Sequence, residues 1–205
     1  MADRITAQAR PQRKDRVTMS AYDKGLTPAT SGAALHLIVM GVSGCGKSTV
    51  AKRLALTFGY PFFEGDDLHS AANVAKMASG HPLQNEDRWD WLDRIAAVLS
   101  GNAAPVVLTC SSLKRVYRDR LRERSGRELL FVYLTALYAV IAERLQARTD
   151  HYMPASLLDT QFAALEPPSQ DERHVVVNVD APLDEIEASV LDQYGSLRNR
   201  THPAA

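Results

Sequence analysis

Between Gly41 and Ser48 the chain reads Gly-Val-Ser-Gly-Cys-Gly-Lys-Ser, the spacing G-x-x-x-x-G-K-[ST]. No other run limits the fold so tightly. For backbone N–H groups to wrap a row of phosphates, Gly41 and Gly46, with Gly44 as a third flexible position, must allow conformations and a close approach that side chains forbid. A helix must open at the end of the loop, where its positive N-terminal pole faces the same charge. A strand must lead in from the other side. Both flanks are legible. Leu35, Leu37, Ile38, Val39 and Met40 form the short apolar run of a strand buried in a parallel sheet. Residues 48–57 place Val50, Leu54 and Leu56 on a helix. Gly41, Val42, Ser43, Gly44, Cys45, Gly46, Lys47, Ser48 and Thr49 are therefore the expected nucleotide cradle. Lys47 reaches the β- and γ-phosphates, and the Ser48 hydroxyl ligates Mg²⁺. Cys45 is read as a small filler.

Strands and helices alternate beyond the loop. Strands are expected at 61–64, 105–110, 129–134 and 175–179. Helices are expected at 71–78, 87–99, 113–123, 139–147, 154–165 and 183–194. That alternation gives an α/β fold, a P-loop NTPase with a parallel sheet covered on both faces. Sites on such a sheet lie beyond the carboxyl ends of the strands, so the segments after Met40, Glu64, Cys110, Leu134 and Val179 should meet in one cleft. The 205 residues suit a single domain, expected at 34–196. A polar N-terminal tail (1–33) and a loose C-terminus (197–205) flank it.

Composition removes several classes. Lys and Arg together number 24, as do Asp and Glu, so no global field draws the chain to nucleic acid or membrane. No apolar run approaches the roughly 20 residues that span a bilayer. Arg4, Arg10, Arg13, Lys14 and Arg16 are not followed by the apolar core of a signal peptide. Cys45 and Cys110 are the only cysteines, which suits free thiols in a reducing cytoplasm and not a disulfide framework.

The loop alone does not separate kinases from other nucleotide users. Asp66, just after the second strand, stands where a carboxylate can face the γ-phosphate. There it can accept the proton of a substrate hydroxyl or orient it near Mg²⁺. The competing role for Asp66 or Asp67 is to cap the next helix. Arg144 and Arg148, four apart, share a helical face and can stabilise a transferring phosphoryl group, or simply be solvated. Residues 149–154 are a candidate lid. Lys114, Arg115, Arg118, Arg120, Arg122 and Arg124 crowd one stretch. A nucleic-acid patch is one reading of it, but Asp119 and Glu123 break the run and Tyr117 is its only aromatic.

Taken together, the blocks GVSGCGKSTVAKRLA from Gly41, GDDLHSAANVAKMASGHPL from Gly65, DRWDWL from Asp87, CSSLKRVYRDRLR from Cys110 and HYMPASLLDTQFAALEPP from His151 resemble the gluconate kinases. The resemblance implies Mg²⁺- and ATP-dependent phosphorylation of D-gluconate to 6-phosphogluconate. It further implies a nucleoside-monophosphate-kinase-like fold related to shikimate kinase, and a cytoplasmic homodimer. Its G-D-x-x-H motif falls on Gly65, Asp66 and His69, and its K-M-x-x-G-x-P-L motif on Lys76, Met77, Gly80, Pro82 and Leu83. Its C-S-x-L-K-x-x-Y-R-D motif falls on Cys110, Ser111, Leu113, Lys114, Tyr117, Arg118 and Asp119. A pocket for gluconate, with one carboxylate and several hydroxyls, would draw cations from His69, Lys76, Arg88, Lys114 and Arg118, and polar partners from Ser111 and Asp66. Each of these also has a purely structural alternative. Lys47 and Arg144 would stabilise the transferring group. By analogy with related folds, adenine would lie between the Arg144 helix and the segment containing Ala181 and Pro182. The pattern departs at Asn85 and Asp90, where the family usually has Asp and Pro, and at Asp150, where bacterial members often have Gly. The rival readings are a kinase for another small anion, such as shikimate or a nucleotide, and a nucleotide-dependent switch or RNA-associated protein using the basic helix.

Overall fold

In the computed structural model, residues 35–147 and 155–201 are described. The tail 1–33, Arg148, the candidate lid 149–154 with Asp150, and residues 202–205 lie outside them. The strands are β1 (His36–Met40), β2 (Phe62–Phe63), β3 (Val107–Thr109), β4 (Leu129–Thr135) and β5 (His174–Asn178). The helices are α1 (Lys47–Phe58), α2 (Ala71–Ala78), α3 (Asn85–Gly101), α4 (Arg115–Ser125), α5 (Tyr138–Gln146), α6 (Ala155–Ala164) and α7 (Leu183–Thr201).

The strands make one five-stranded sheet in the order β2-β3-β1-β4-β5, every pair parallel. β1 is central, with Leu37 opposite Val107 of β3 and Leu130 of β4. Its unbroken apolar run is explained by burial on both sides. Leu37 and Val39 join a core with Val50 and Leu54 of α1 and Ile186 and Val190 of α7. Ile38 and Met40 join the opposite core, with Leu92 and Ile95 of α3 and Leu121 of α4. Each such side chain gains roughly 1.5–3 kcal/mol from leaving water. The chain leaves β1 for β2 on one side and later returns to β4 on the other. The ends of β1, β3 and β4 thus form the switch point where ligands bind in open α/β sheets.

Differences from the sequence reading have local causes. α3 begins at Asn85, ahead of Asp87, because the Asp87 carboxylate accepts the Gln84 N–H (2.7 Å) and caps the new turn. α4 begins later, at Arg115. A 3₁₀ turn, Gly65–Leu68, follows β2 where only a loop is readable. α7 continues past Tyr194 to Thr201, into the stretch expected to be loose.

Candidate active site

The phosphate loop owes its shape to contacts that only glycine tolerates. Gly41 has φ 141°, and a Cβ there would lie 2.7 Å from the Leu134 carbonyl oxygen and 2.9 Å from Cys45 Sγ. A Cβ on Gly44 would come within 2.8 Å of Leu145 of α5. Gly46, with φ 92°, caps α1 in the left-handed region. Cys45 is buried beneath the loop, and burial pushes its thiol pKa up, which suits a filler. No acidic residue sits in the first turn of α1, so its positive pole is unopposed. Lys47 Nζ reaches back over the loop to the Val42 carbonyl (3.1 Å) and makes no ion pair among the described residues. The cradle therefore fits a polyphosphate. Among the described residues no group of three carboxylate, His or Cys side chains could hold a metal on its own. Ser48 in the first turn of α1 and the exposed Asp66 offer oxygen atoms, the ligand type that a hard cation such as Mg²⁺ takes.

Across the cleft, β2 is sewn to β3. The Gly65 N–H donates to Thr109 Oγ1 (2.9 Å), and the Thr109 hydroxyl donates to Glu64. Trp91 Nε1 donates to the Gly65 carbonyl (2.7 Å). A Cβ on Gly65 would overlap the Thr109 carbonyl oxygen outright. This fixes the 3₁₀ turn that carries Asp66, whose side chain is exposed. Neither Asp66 nor Asp67 caps α2. Ser70 does, accepting the Asn73 N–H (3.1 Å). The Cys110 thiol at the end of β3 is pushed up to about 11, mainly by burial, and feels both the Asp66 and the Lys47 charge. Both charges thus act on the end of this strand.

His69 stacks on Trp91, with ring centroids 4.2 Å apart and planes at 14°. Burial pushes its pKa down, Asp66 works against this, and Arg88 adds to it. Burial thus favours the neutral, hydrogen-bonding form of His69 over the cation expected of it. Lys76 spends its ammonium on Asp87 (2.6 Å), which locks α2 to α3. Buried Asn73 joins the same seam through the Asp87 carbonyl (2.6 Å). Arg88 lies 5.7 Å from the Tyr117 ring centre and makes a long bond (3.5 Å) to the Leu83 carbonyl. Lys114 Nζ donates to Asn85 Oδ1 (3.2 Å), which also accepts the Tyr117 hydroxyl (2.6 Å). Asn85 thus joins α3 to α4, and its neutral amide leaves the Lys114 charge uncancelled. The Ser111 carbonyl accepts the Gly41 N–H (3.3 Å), tying the end of β3 to the phosphate loop.

Arg118 corrects an expectation. It is 0% exposed. Its Nε and one terminal nitrogen hold Glu172 (2.7 and 2.8 Å), while the other reaches the carbonyls of Ser112, Leu113 and Glu166. No face of the guanidinium is left for a substrate. The other arginines of α4 also have carboxylates. Arg115 meets Asp171, Arg120 meets Asp93, Arg122 meets Asp119 and Glu172, and Arg124 meets Asp93. A nucleic-acid backbone would have to displace these partners.

Arg144 donates to the Val179 carbonyl (2.7 Å), which brings α5 against the segment leading to Ala181 and Pro182. Ala181 packs on the core, and the Pro182 carbonyl receives the first N–H groups of α7. Arg148 lies outside the described residues. Sequence reasoning missed Gln161 of α6, whose side chain brackets Ser43 of the phosphate loop. It also missed the joining role of Asn85. Gln161 lies inside the block that begins at His151, but its partner lies 118 positions away, so its role was not readable.

Known proteins resemble the chain in sequence and in fold. The crystal structure of a gluconokinase from Sinorhizobium meliloti 1021 aligns with a TM-score of 0.76 at 47% identity, covering 82% of this chain and 95% of that one. The thermoresistant gluconokinase of Escherichia coli K12 is 42% identical over 159 residues, 76% of this chain and 90% of its own length. The chain belongs to the gluconokinase family. Residues 37–168 match a family described as an AAA domain. Shikimate kinase from Aquifex aeolicus, at 17% identity and a TM-score of 0.52, shares the fold.

Proposed function

We infer that the protein transfers the γ-phosphoryl group of ATP to the terminal hydroxyl of D-gluconate, giving 6-phospho-D-gluconate. The observation that carries this reading is the glycine-shaped phosphate loop with its Lys47 ammonium resting on a carbonyl, in a chain of the gluconokinase family. Residues 41–49 hold the phosphates. Ser48, and Asp66 through water, would hold Mg²⁺, which would supply neutralisation of the phosphate charge. Asp66 orients the acceptor hydroxyl and takes its proton as the oxygen attacks phosphorus in line. Lys47 stabilises the charge on the transferring group. Arg144 does the same by exchanging the Val179 carbonyl for phosphate oxygens, and Arg148 contributes a second guanidinium. The gluconate carboxylate meets Lys114 and Arg88, and neutral His69 and Ser111 bond its hydroxyls. Lys76 fixes the arm that carries His69. Adenine lies between α5 and the Ala181–Pro182 segment.

The enzyme acts in the cytoplasm as a homodimer and needs neither membrane nor nucleic acid. Among the described residues no helix is long and apolar enough to cross a membrane. Light scattering that gives a monomer mass would remove the dimer. An acceptor panel with coupled ADP detection tests the activity. Turnover is expected with gluconate, and turnover with another acid but none with gluconate would overturn the reading. Asp66→Asn is expected to cut kcat about 10²–10⁴-fold while leaving ATP binding nearly unchanged. Near-normal turnover in that variant would remove Asp66 as the base.

A further inference from the structure

Gln161 reaches from α6 onto the phosphate loop. Its Oε1 accepts the Ser43 N–H at 2.7 Å, and its Nε2 donates to Ser43 Oγ at 3.0 Å. The orientation of the amide is not free. A backbone N–H only donates, so Oε1 must face it and Nε2 must face the hydroxyl. Ser43 Oγ is therefore engaged as an acceptor, and its one proton is left for a different partner. The helix that presents Gln161 is anchored. Leu158 is buried in the core, the Tyr138 hydroxyl donates to Asp159 (2.7 Å), and the Phe162 ring packs on Tyr138 (5.2 Å).

Lys47 indicates where that proton points. Its ammonium, which meets the β- and γ-phosphates in loops of this kind, lies against the Val42 carbonyl, one residue before Ser43. Ser43 thus adjoins the ammonium that serves the β- and γ-phosphates.

We propose that Gln161 is a positioning residue for the γ-phosphate. It holds the Ser43 end of the loop in shape and turns the Ser43 hydroxyl proton toward the γ-phosphate oxygens, so that the site distinguishes a triphosphate from a diphosphate. This rests on the reading that ATP occupies the loop. The hydroxyl proton has an acceptor when the γ-phosphate is present and loses it when the product diphosphate remains. Gln161 therefore favours the loaded state over the spent one.

Calorimetric titration of the full chain with ADP and with a non-hydrolysable ATP analogue measures the distinction. In Gln161→Leu the analogue's Kd is expected to rise about tenfold, the effect of one lost hydrogen bond to a charged group, while the ADP Kd stays within about twofold. Ser43→Ala is expected to show the same split, and Gln161→Leu added to it to widen that split by less than about twofold, because the glutamine tells the two nucleotides apart through that hydroxyl. Gln161→Glu keeps the acceptor for the Ser43 N–H, and so the loop, but cannot donate to Oγ. It too is expected to weaken the analogue more than ADP, and it answers the question if the leucine variant does not fold. Equal weakening of both nucleotides, no weakening of either, or full additivity in the double variant would overturn the proposal. Wild-type protein that bound neither nucleotide would overturn the ATP reading beneath it instead.

Discussion

α4 and the cleft are both rich in cations, but they use them oppositely. On α4 every arginine faces a carboxylate. In the cleft the cations rest on neutral groups. Lys47 and Arg144 lie on the carbonyls of Val42 and Val179, Lys114 on the Asn85 amide, and Arg88 on the Leu83 carbonyl and the Tyr117 ring. A carboxylate cancels the field of its partner, whereas a carbonyl or amide holds the side chain in place and leaves its charge free to attract an anion. The same residue types therefore build scaffold on one surface and a binding site on the other. Lys76, paired with Asp87, belongs with the scaffold although its motif lies beside the cleft.

The largest effect expected from this contrast is at Arg118. Arg118→Met leaves Glu172 buried without its main partner, which costs roughly 3–5 kcal/mol. Urea unfolding is expected to show that loss while KM for gluconate in the folded fraction stays near wild type. A raised KM with unchanged stability would return Arg118 to the substrate site. The same pair sets the acid limb. Burial acts to raise the Glu172 carboxyl, but hydrogen bonds from Arg118 and Arg122 and the Ser169 N–H outweigh it and hold the pKa at about 2, against 4.5 for an ordinary glutamate. The folded pKa is depressed, so the stabilisation is complete above pH 4.5 and is lost as pH falls toward about 2. Thermal melts of wild type should fall through that window. Glu172→Gln should start lower at neutral pH and lose part of the slope, and an unchanged slope would detach acid sensitivity from this pair.

A smaller effect, of opposite kind, is expected for Lys114→Met. Loss of a charge-assisted bond to the substrate carboxylate costs on the order of 1.5–3 kcal/mol, a KM for gluconate raised roughly tenfold to a hundredfold. Stability should hardly change, because Asn85 keeps its bond from Tyr117. Loss of stability with normal KM would place Lys114 with the α4 arginines, and the contrast would fail at its most informative member.

How much of this was legible depended on the range of each interaction. The phosphate loop was legible because its glycines, lysine and serine act through neighbouring backbone, so the motif carries its own geometry. The strands and helices followed from apolar period, and the common cleft from the parallel sheet. The partners of the cations were not legible. Arg118 and Lys114 share one motif four positions apart, yet one meets Glu172 and the other Asn85, far away in the chain. Only the fold decides which cation is cancelled. The ionisation of His69 was hidden for the same reason, since Trp91 supplies its burial from another helix.

The smallest effect is expected at Arg120, which separates two explanations of the contrast. Arg120 holds Asp93 with two bonds (2.8 and 2.7 Å) and lies over Trp89 (5.1 Å), so its geometry resembles that of Arg118. Its side chain is 26% exposed and that of Asp93 39%, so water screens the pair and solvates whichever charge is left behind. Arg120→Ala should cost no more than about 1 kcal/mol, a Tm shift of roughly 2–4 °C, with no change in KM for either substrate. Part of that cost is lost packing on Trp89, so it should persist in high salt. A loss as large as that of Arg118→Met would mean that the carboxylate partner alone, irrespective of burial, sets the strength of the scaffold. The expected small loss would mean that pairing identifies the scaffold cations and burial determines how much each contributes.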